Sequence, residues 1–301
     1  MRRNLLNALC IMLVLMGAAS CSEDDGDYGI SIVTKDVYIL NSGMMDSNNS
    51  ELAVYNPSTD EVATNVFSLA NGGRKLGDTA NDMIRYGSKL YIAVTGSAVV
   101  FVTDLDGKVI EEIKVKGESA NLSPRQMTAG NGKVFVTYQE GYVGAIDTAS
   151  FNVKTAKTGP FPEGIIFTKL TKKLYVAITD GNNYPNFANR VEVFSTSSLE
   201  KIGEIETACN PQTFHYCGDE KIYLVCWGDY GAEPARLQII DQFTDAVTTV
   251  QGVAPTCMAV NNGDMYVIRH FPNKPAEIMD KFDTGAINPI KVCFNRNINL
   301  Q

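Results

Sequence analysis

Histidine and tryptophan are nearly missing from this chain, whose 301 residues hold two of the first and one of the second. With only His215 and His270 available, a zinc site built on several imidazoles is excluded, and a Ser-His-Asp arrangement has few ways to form. Positive charge is also in deficit. Lys and Arg number 26 against 34 Asp and Glu, a net charge of -8, so a phosphate backbone would be repelled and nucleic acid is excluded as a partner. No Pro/Ser-rich or low-complexity stretch divides the chain. Five cysteines remain beyond Cys10 and Cys21: Cys209, Cys217, Cys226, Cys257 and Cys293. They lack the close spacings of zinc sites and fall mostly in apolar strand patterns, so buried thiols are expected rather than disulfides.

What the chain does have is a repeat. Val37-Tyr38-Ile39, Leu90-Tyr91-Ile92, Val134-Phe135-Val136, Leu174-Tyr175-Val176, Ile222-Tyr223-Leu224 and Met265-Tyr266-Val267 are short strands centred on an aromatic, 53, 44, 40, 48 and 43 residues apart. A period of about 45 is that of propeller blades with four strands each. The fold class expected is therefore all-β, a β-propeller of four-stranded antiparallel blades, with six units visible and six or seven blades in the ring. Pro124, Pro162, Pro211, Pro255 and Pro289 each open an inner strand, called a; the aromatic strand is b. An alternating strand c follows, such as Val100 to Asp104, and a short polar turn leads to the outer strand d. The last unit is irregular. Ile290 to Phe294 is expected to supply an a strand beside Val37 to Leu40 and so close the ring, with Ile30 to Val33 as the alternative occupant.

Because strands alternate direction within a blade, b-to-c loops and d-to-a crossings share one face. Four b-to-c loops are enlarged, Asn41 to Glu51, Thr179 to Arg190, Trp227 to Arg236 and Arg269 to Ala276, whereas Thr95 to Ala98 and Tyr138 to Tyr142 are tight. Aromatics gather in the enlarged loops: Tyr184, Phe187, Trp227, Tyr230 and Phe271, with Tyr138 and Tyr142 nearby. Their flat apolar faces and polar tips suit stacking on a sugar or a planar ligand, unless they serve only to pack the loops. Arg190 and Arg236 bound the same loops and could donate to ligand carbonyls or anions. The expected ligand-binding set is thus Tyr138, Tyr184, Phe187, Arg190, Trp227, Tyr230, Arg236 and Phe271. No catalytic residue and no metal site is expected. Asp46 to Ser50 and Asp180 to Asn183 are rich in oxygen ligands, but neither matches an EF-hand, and they read as turns rather than calcium sites.

At the N-terminus, Arg2 and Arg3 precede an apolar run from Leu5 to Met16, then Gly17-Ala18-Ala19-Ser20 and Cys21. The run is too short to cross a bilayer comfortably and has the layout of a signal peptide. Small residues abutting a cysteine resemble a bacterial lipobox, in which Cys21 is acylated and becomes the anchor. Residues 1–20 are then the lipoprotein signal peptide, 21–29 an acidic lipidated tether and 30–301 a single propeller domain, touching a membrane by its anchor only. Cys21-Ser22-Glu23-Asp24-Asp25 resembles the signal by which one group of Gram-negative gut bacteria exports lipoproteins to the outside of the outer membrane.

Ile39-Leu40-Asn41-Ser42-Gly43 with Ser47 to Ser50, and Ala70 to Ala80, resemble the YncE-like surface propellers of gut bacteria. Gly159 to Ile165 followed by Lys173-Leu174-Tyr175-Val176-Ala177 is similar to the repeat of the wider surface-layer, or YVTN, propellers. Some of those proteins are surface lipoproteins that capture cobalamin and pass it to an outer-membrane transporter. The resemblance implies a non-enzymatic receptor holding a nutrient, corrinoid or glycan, for uptake through a TonB-dependent transporter, with a bound corrinoid as ligand and no cofactor. It usually goes with seven blades, and fold alone does not transmit function. The alternatives are a glycan-binding or adhesion propeller that recognises a protein, and, ranked below these, a propeller hydrolase or lactonase.

Overall fold

The computed structural model describes residues 37–217, 220–261, 264–268 and 290–292. These form six antiparallel sheets. The first holds β1 (Val37–Asn41), β2 (Glu51–Asn56) and β3 (Glu61–Ala63), followed by a short helix α1 (Val66–Ala70). The second holds β4 (Ala80–Tyr86), β5 (Lys89–Val94), β6 (Val99–Thr103) and β7 (Val109–Ile113). The third holds β8 (Pro124–Gly130), β9 (Lys133–Tyr138), β10 (Tyr142–Asp147) and β11 (Val153–Lys157). The fourth holds β12 (Pro162–Phe167), β13 (Lys173–Ile178), β14 (Arg190–Ser195) and β15 (Lys201–Glu206). The fifth holds β16 (Pro211–Tyr216), β17 (Lys221–Cys226), β18 (Arg236–Asp241) and β19 (Val247–Thr249). In the sixth, β20 (Cys257–Asn261) and β21 (Asp264–Ile268) are joined by β22 (Ile290–Val292). Each four-stranded sheet is a meander in the order a, b, c, d, and successive a strands lie side by side, β4 by β8, β8 by β12, β12 by β16. This is the blade arrangement of a β-propeller.

Burial follows position within the blade. The b strands read as unbroken apolar runs because neighbouring blades cover both of their faces: Leu90 to Val94 and Leu174 to Ile178 are buried throughout. The d strands are largely solvated, as in Val153–Lys157 and Lys201–Glu206. Hydrophobic clusters fill the space between consecutive sheets, and Tyr91, Phe135, Tyr175 and Tyr223 sit fully buried within them. Each such ring contributes roughly 2–3 kcal/mol by leaving water. The repeating aromatic that betrays the period is thus the wedge between blades.

One expectation is overturned. Ile290–Val292 lies antiparallel to β21, with Met265 opposite Val292, and not beside Val37 to Leu40. Both sites ask for an apolar extended segment, so hydrophobic pattern alone does not distinguish them. The other proposed occupant, Ile30 to Val33, lies outside the described residues, as do Cys21 and the signal segment. Pro124, Pro162 and Pro211 do open a strands, whereas Pro255 stands two residues before β20. Cys209, Cys217, Cys226 and Cys257 are thiols, Cys217 and Cys226 buried and Cys257 exposed; Cys293 is outside the described residues.

Candidate functional site

A repeated hydrogen bond defines the face on which the long loops gather. The residue leaving each b strand donates its N–H to the carbonyl of the residue entering the a strand: Thr95 to Thr79 at 3.0 Å, Gln139 to Ser123 at 2.9 Å, Thr179 to Phe161 at 3.1 Å and Trp227 to Asn210 at 2.9 Å. Each of these four b-to-c loops is thereby fastened beside the mouth of its own inner strand. In the second and third sheets these loops are tight; in the first, fourth and fifth they span 42–50, 179–189 and 227–235. The face is walled on one side and low on the other.

The wall of the fourth and fifth sheets carries an aromatic patch. The Tyr184 ring stands 5.8 Å from Phe187 and 6.5 Å from Tyr230, Phe187 meets Tyr230 edge-on at 5.6 Å, and Trp227 lies 6.5 Å from Tyr230. Such separations and tilts are those of attractive ring pairs. Tyr184 and Tyr230 remain 66% and 51% exposed, so the patch orders the loops and still presents two rings to solvent. Trp227 is half-buried, and its indole N–H donates to the Thr256 carbonyl at 2.7 Å, which ties the loop to the sixth sheet.

The other expected site residues divide. Arg236 is exposed at the start of β18. Arg190 is engaged by Glu192 and Glu204, at 3.7 and 3.8 Å from its Nε. Phe271 lies outside the described residues, with Arg269 and His270. Tyr138 is corrected: it is 1% exposed and belongs to the core between the second and third sheets. The cause is Gly144 on the neighbouring strand, where an added Cβ would stand 2.8 Å from Tyr138 Cε2. The missing side chain leaves a slot, and the ring folds inward over it.

A second group was not anticipated. Each of four a strands slips register just after its first residue, between Ala80 and Asp82, Pro124 and Met127, Pro162 and Ile165, and Pro211 and Thr213. A bulge there re-aims side chains against simple alternation. At the second position of these strands stand Asn81, Arg125, Glu163 and Gln212, a polar side chain from each of four successive sheets. Asn81 Nδ2 donates to the Arg125 carbonyl at 2.9 Å, and Arg125 grips Glu163 through two nitrogens, Nη2 to Oε1 at 2.7 Å and Nε to Oε1 at 3.0 Å. Glu163 is 7% exposed, and burial raises its pKa while the guanidinium opposes that rise. Gln212 donates to Asn210 Oδ1 at 2.6 Å, and the Asn210 amide donates to the Gly228 carbonyl at 3.1 Å, inside the aromatic loop. Through the buried Asn210, hydrogen bonds join Gln212 of the polar arc to the loop that carries Trp227 and Tyr230. For three members of the arc the signal in the sequence was a polar residue directly after a proline that opens its strand, at Pro124, Pro162 and Pro211; Asn81 follows Ala80 and carried no such mark.

Deeper along the inner strands, Asp82 accepts the N–H groups of Met83 and Met127 at 2.8 and 2.7 Å, joining two blades. Burial nevertheless pushes its pKa up to about 6. His215 is pushed down to about 4 by burial alone, which marks a neutral imidazole seated near the channel. Among the described residues, no group of three or more His, Cys, Asp or Glu is placed to hold a metal ion.

No family model matches the chain, and no curated protein matches it in sequence. Its fold is nonetheless shared with solved structures. The Neurospora crassa Pan2 WD40 domain superposes with a TM-score of 0.56 at 11% identity, covering 78% of this chain and 69% of that one. A Bacteroides caccae protein gives 0.54 at 11% identity over 80% of this chain and 85% of its own. Kuenenia stuttgartiensis hydrazine synthase gives 0.57 at 17% identity over 72% and 67%. At such identities the likeness is one of fold, and it agrees with the blades described above.

Proposed function

We propose that this propeller is a non-enzymatic receptor whose loop-rich face holds a small-molecule nutrient, with a corrinoid as the ligand class. A propeller face is a platform suited to binding a ligand or a protein. The observation that carries the small-molecule reading is the continuity of the aromatic patch with the polar arc through Tyr230, Asn210 and Gln212. Apolar walls with a few convergent polar groups are the usual composition of a ligand site. A broad planar ligand with amide arms could lie against Tyr184 and Tyr230 while its arms reach the arc. Nothing in such capture requires proton transfer, in keeping with the neutral His215 and with a Glu163 committed to Arg125.

The address completes the proposal. Lipidation at Cys21 would tether the domain to the outer membrane, facing outward through the acidic segment, and a TonB-dependent transporter would receive the ligand. The test is calorimetric titration of the purified protein with cyanocobalamin and cobinamide, beside the Tyr184→Ala/Tyr230→Ala double variant. Saturable binding that weakens about tenfold or more in the variant is expected, since two exposed rings each worth around 1 kcal/mol are removed. Absence of binding to both corrinoids, with binding of a glycan instead, would move the ligand class to sugars stacked on the same rings.

A further inference from the structure

On the opposite face, a second recurring contact joins the first blade to the second, the third to the fourth and the fourth to the fifth. A residue of the b strand reaches a carbonyl at the start of the following blade's c-to-d turn. Tyr38 Oη donates to Leu105 O at 2.9 Å, Lys133 Nζ to Thr196 O at 3.1 Å, and Lys173 Nζ and Tyr175 Oη to Gln242 O, each at 3.2 Å. The lysine that opens the b strand then meets whatever stands three residues further along that turn. Lys89 lies over the Phe151 ring at 5.9 Å, and Lys173 pairs with Asp245 at 2.8 Å. Phe151, Leu199 and Asp245 are equivalent: all have left-handed backbone, with φ of 59°, 56° and 61°, and all donate N–H to the last residue of the c strand. For Lys133 the equivalent residue is Leu199, which offers neither carboxylate nor ring.

The Lys133 ammonium is half-buried in a tie that gives Lys173 a carboxylate and Lys89 an aromatic ring, and gives Lys133 neither. Two more ammonium groups come to the same place, each held by a neutral oxygen. Lys172 donates to Asn131 Oδ1 at 3.0 Å and Lys154 to the Ser198 carbonyl at 2.6 Å. Among the described residues none of the three forms an ion pair. Two adjoining recesses of about 520 and 240 Å³ open on either side of the Thr196-Ser197 turn, and both are lined by Lys133. Lys172 lines the larger with Thr171 and Ser195, whose hydroxyls bond those of Thr168 and Ser197, and Lys154 lines the smaller. One acid, Asp147, also lines the smaller recess, opposite Lys133 across the strand pair. It accepts the N–H groups of Ala149 and Ser150 and the Ser150 hydroxyl, and these bonds, with a smaller contribution from the Lys133 charge, hold its pKa below the usual carboxylate range, so three ammonium groups share a single carboxylate. In a chain of net charge -8 this is a local excess of positive charge, and ammonium groups facing a recess with hydroxyl donors make a site for an oxyanion.

The geometry points to an anion site between the third and fourth blades, on the face opposite the aromatic patch, that takes a phosphate or sulfate group in the recesses beside Leu199 and gives Lys133 the counter-charge Asp245 gives Lys173. Its source is either a free anion or small ester, or the phosphate of a lipid headgroup. Calorimetric titration of the purified protein with inorganic phosphate and inorganic sulfate, and co-sedimentation with phosphatidylglycerol against phosphatidylcholine vesicles, separate these. Saturable binding of either inorganic anion, weakened roughly tenfold or more in Lys133→Met and in Lys172→Met, upholds a free-anion or ester site. Selective binding of phosphatidylglycerol vesicles, lost in the same two variants, upholds a headgroup site. Leu199→Asp restores the internal counter-charge and should abolish binding by either route while circular dichroism shows the fold kept; Lys133 and Lys172 are not core residues, so their variants stand as tests even if Leu199→Asp does not fold. Absence of binding in both experiments, or binding that neither lysine variant alters, overturns the site.

Discussion

Arg125 and Glu163 form the pair on which the channel mouth depends most. Glu163 is nearly buried and would keep an uncompensated carboxylate if its partner were cut away. Arg125→Met should therefore cost about 3 kcal/mol in chemical denaturation, and Arg125→Met/Glu163→Leu distinctly less, because breaking a buried pair costs more than replacing it. The two perturbed inner-strand groups pull in opposite directions with pH. His215, with a folded pKa of about 4 against 6.5, binds more protons when unfolded; it favours folding above pH 6.5, and that contribution is lost as pH falls toward 4. Asp82, with a folded pKa of about 6 against 3.8, binds more protons when folded, so its effect is most favourable below pH 4 and fades as pH rises through 6. Urea titrations between pH 4 and 7 should show a shallow wild-type profile that becomes one of stability falling with rising pH in His215→Gln, where only the Asp82 effect remains. An unaltered profile would contradict the burial of His215. At this scale the sequence was a mixed guide. The wedge aromatics were legible because their period repeats, whereas Arg125 and Glu163 were not, since a bulge shifts the facing of every residue after it. Tyr138 went astray for a local reason, the absent side chain of Gly144 on the adjoining strand.

Inner strands are set close together by glycine at one point where no side chain fits. A Cβ on Gly164 would lie 2.4 Å from the Gln212 carbonyl oxygen, which is backbone of the next blade. Gly164→Ala should push β12 and β16 apart, costing roughly 1–3 kcal/mol in thermal or chemical unfolding, and should disturb the arc at Glu163 and Gln212 together. The exposed rings behave differently. Tyr184→Ala and Tyr230→Ala should change stability by less than about 0.5 kcal/mol each, as surface changes do, so that any loss of ligand affinity reports on recognition. The loops themselves were legible as elements, because alternation of strand direction forces b-to-c loops and d-to-a crossings to one face. Their internal contacts were not: that Trp227 anchors its loop to Thr256, and that Arg190 is held by Glu192 and Glu204, depends on packing between blades distant in sequence.

At the level of the whole molecule, the two faces are built from different materials. One carries long loops, an aromatic patch and a polar arc; the other carries short turns, the lysine ties and the recess beside Leu199. The six sheets of the described residues and their order follow the aromatic period, and the partner of the last strand does not, because an apolar segment is acceptable beside either β1 or β21 by pattern. Long loops give this face both its relief and its aromatic rings, which is why ligand recognition is sought there. The central claim is that this face holds a ligand, and Trp227 is a ready reporter: it is the single tryptophan and stands 6.5 Å from Tyr230. Titrating the purified protein with cyanocobalamin while following tryptophan emission should give saturable quenching, reproduced by cobinamide and absent in Tyr184→Ala/Tyr230→Ala. Quenching that rises without saturation, matches that of free tryptophan and persists in the double variant would mean that the loop-rich face does not hold this ligand.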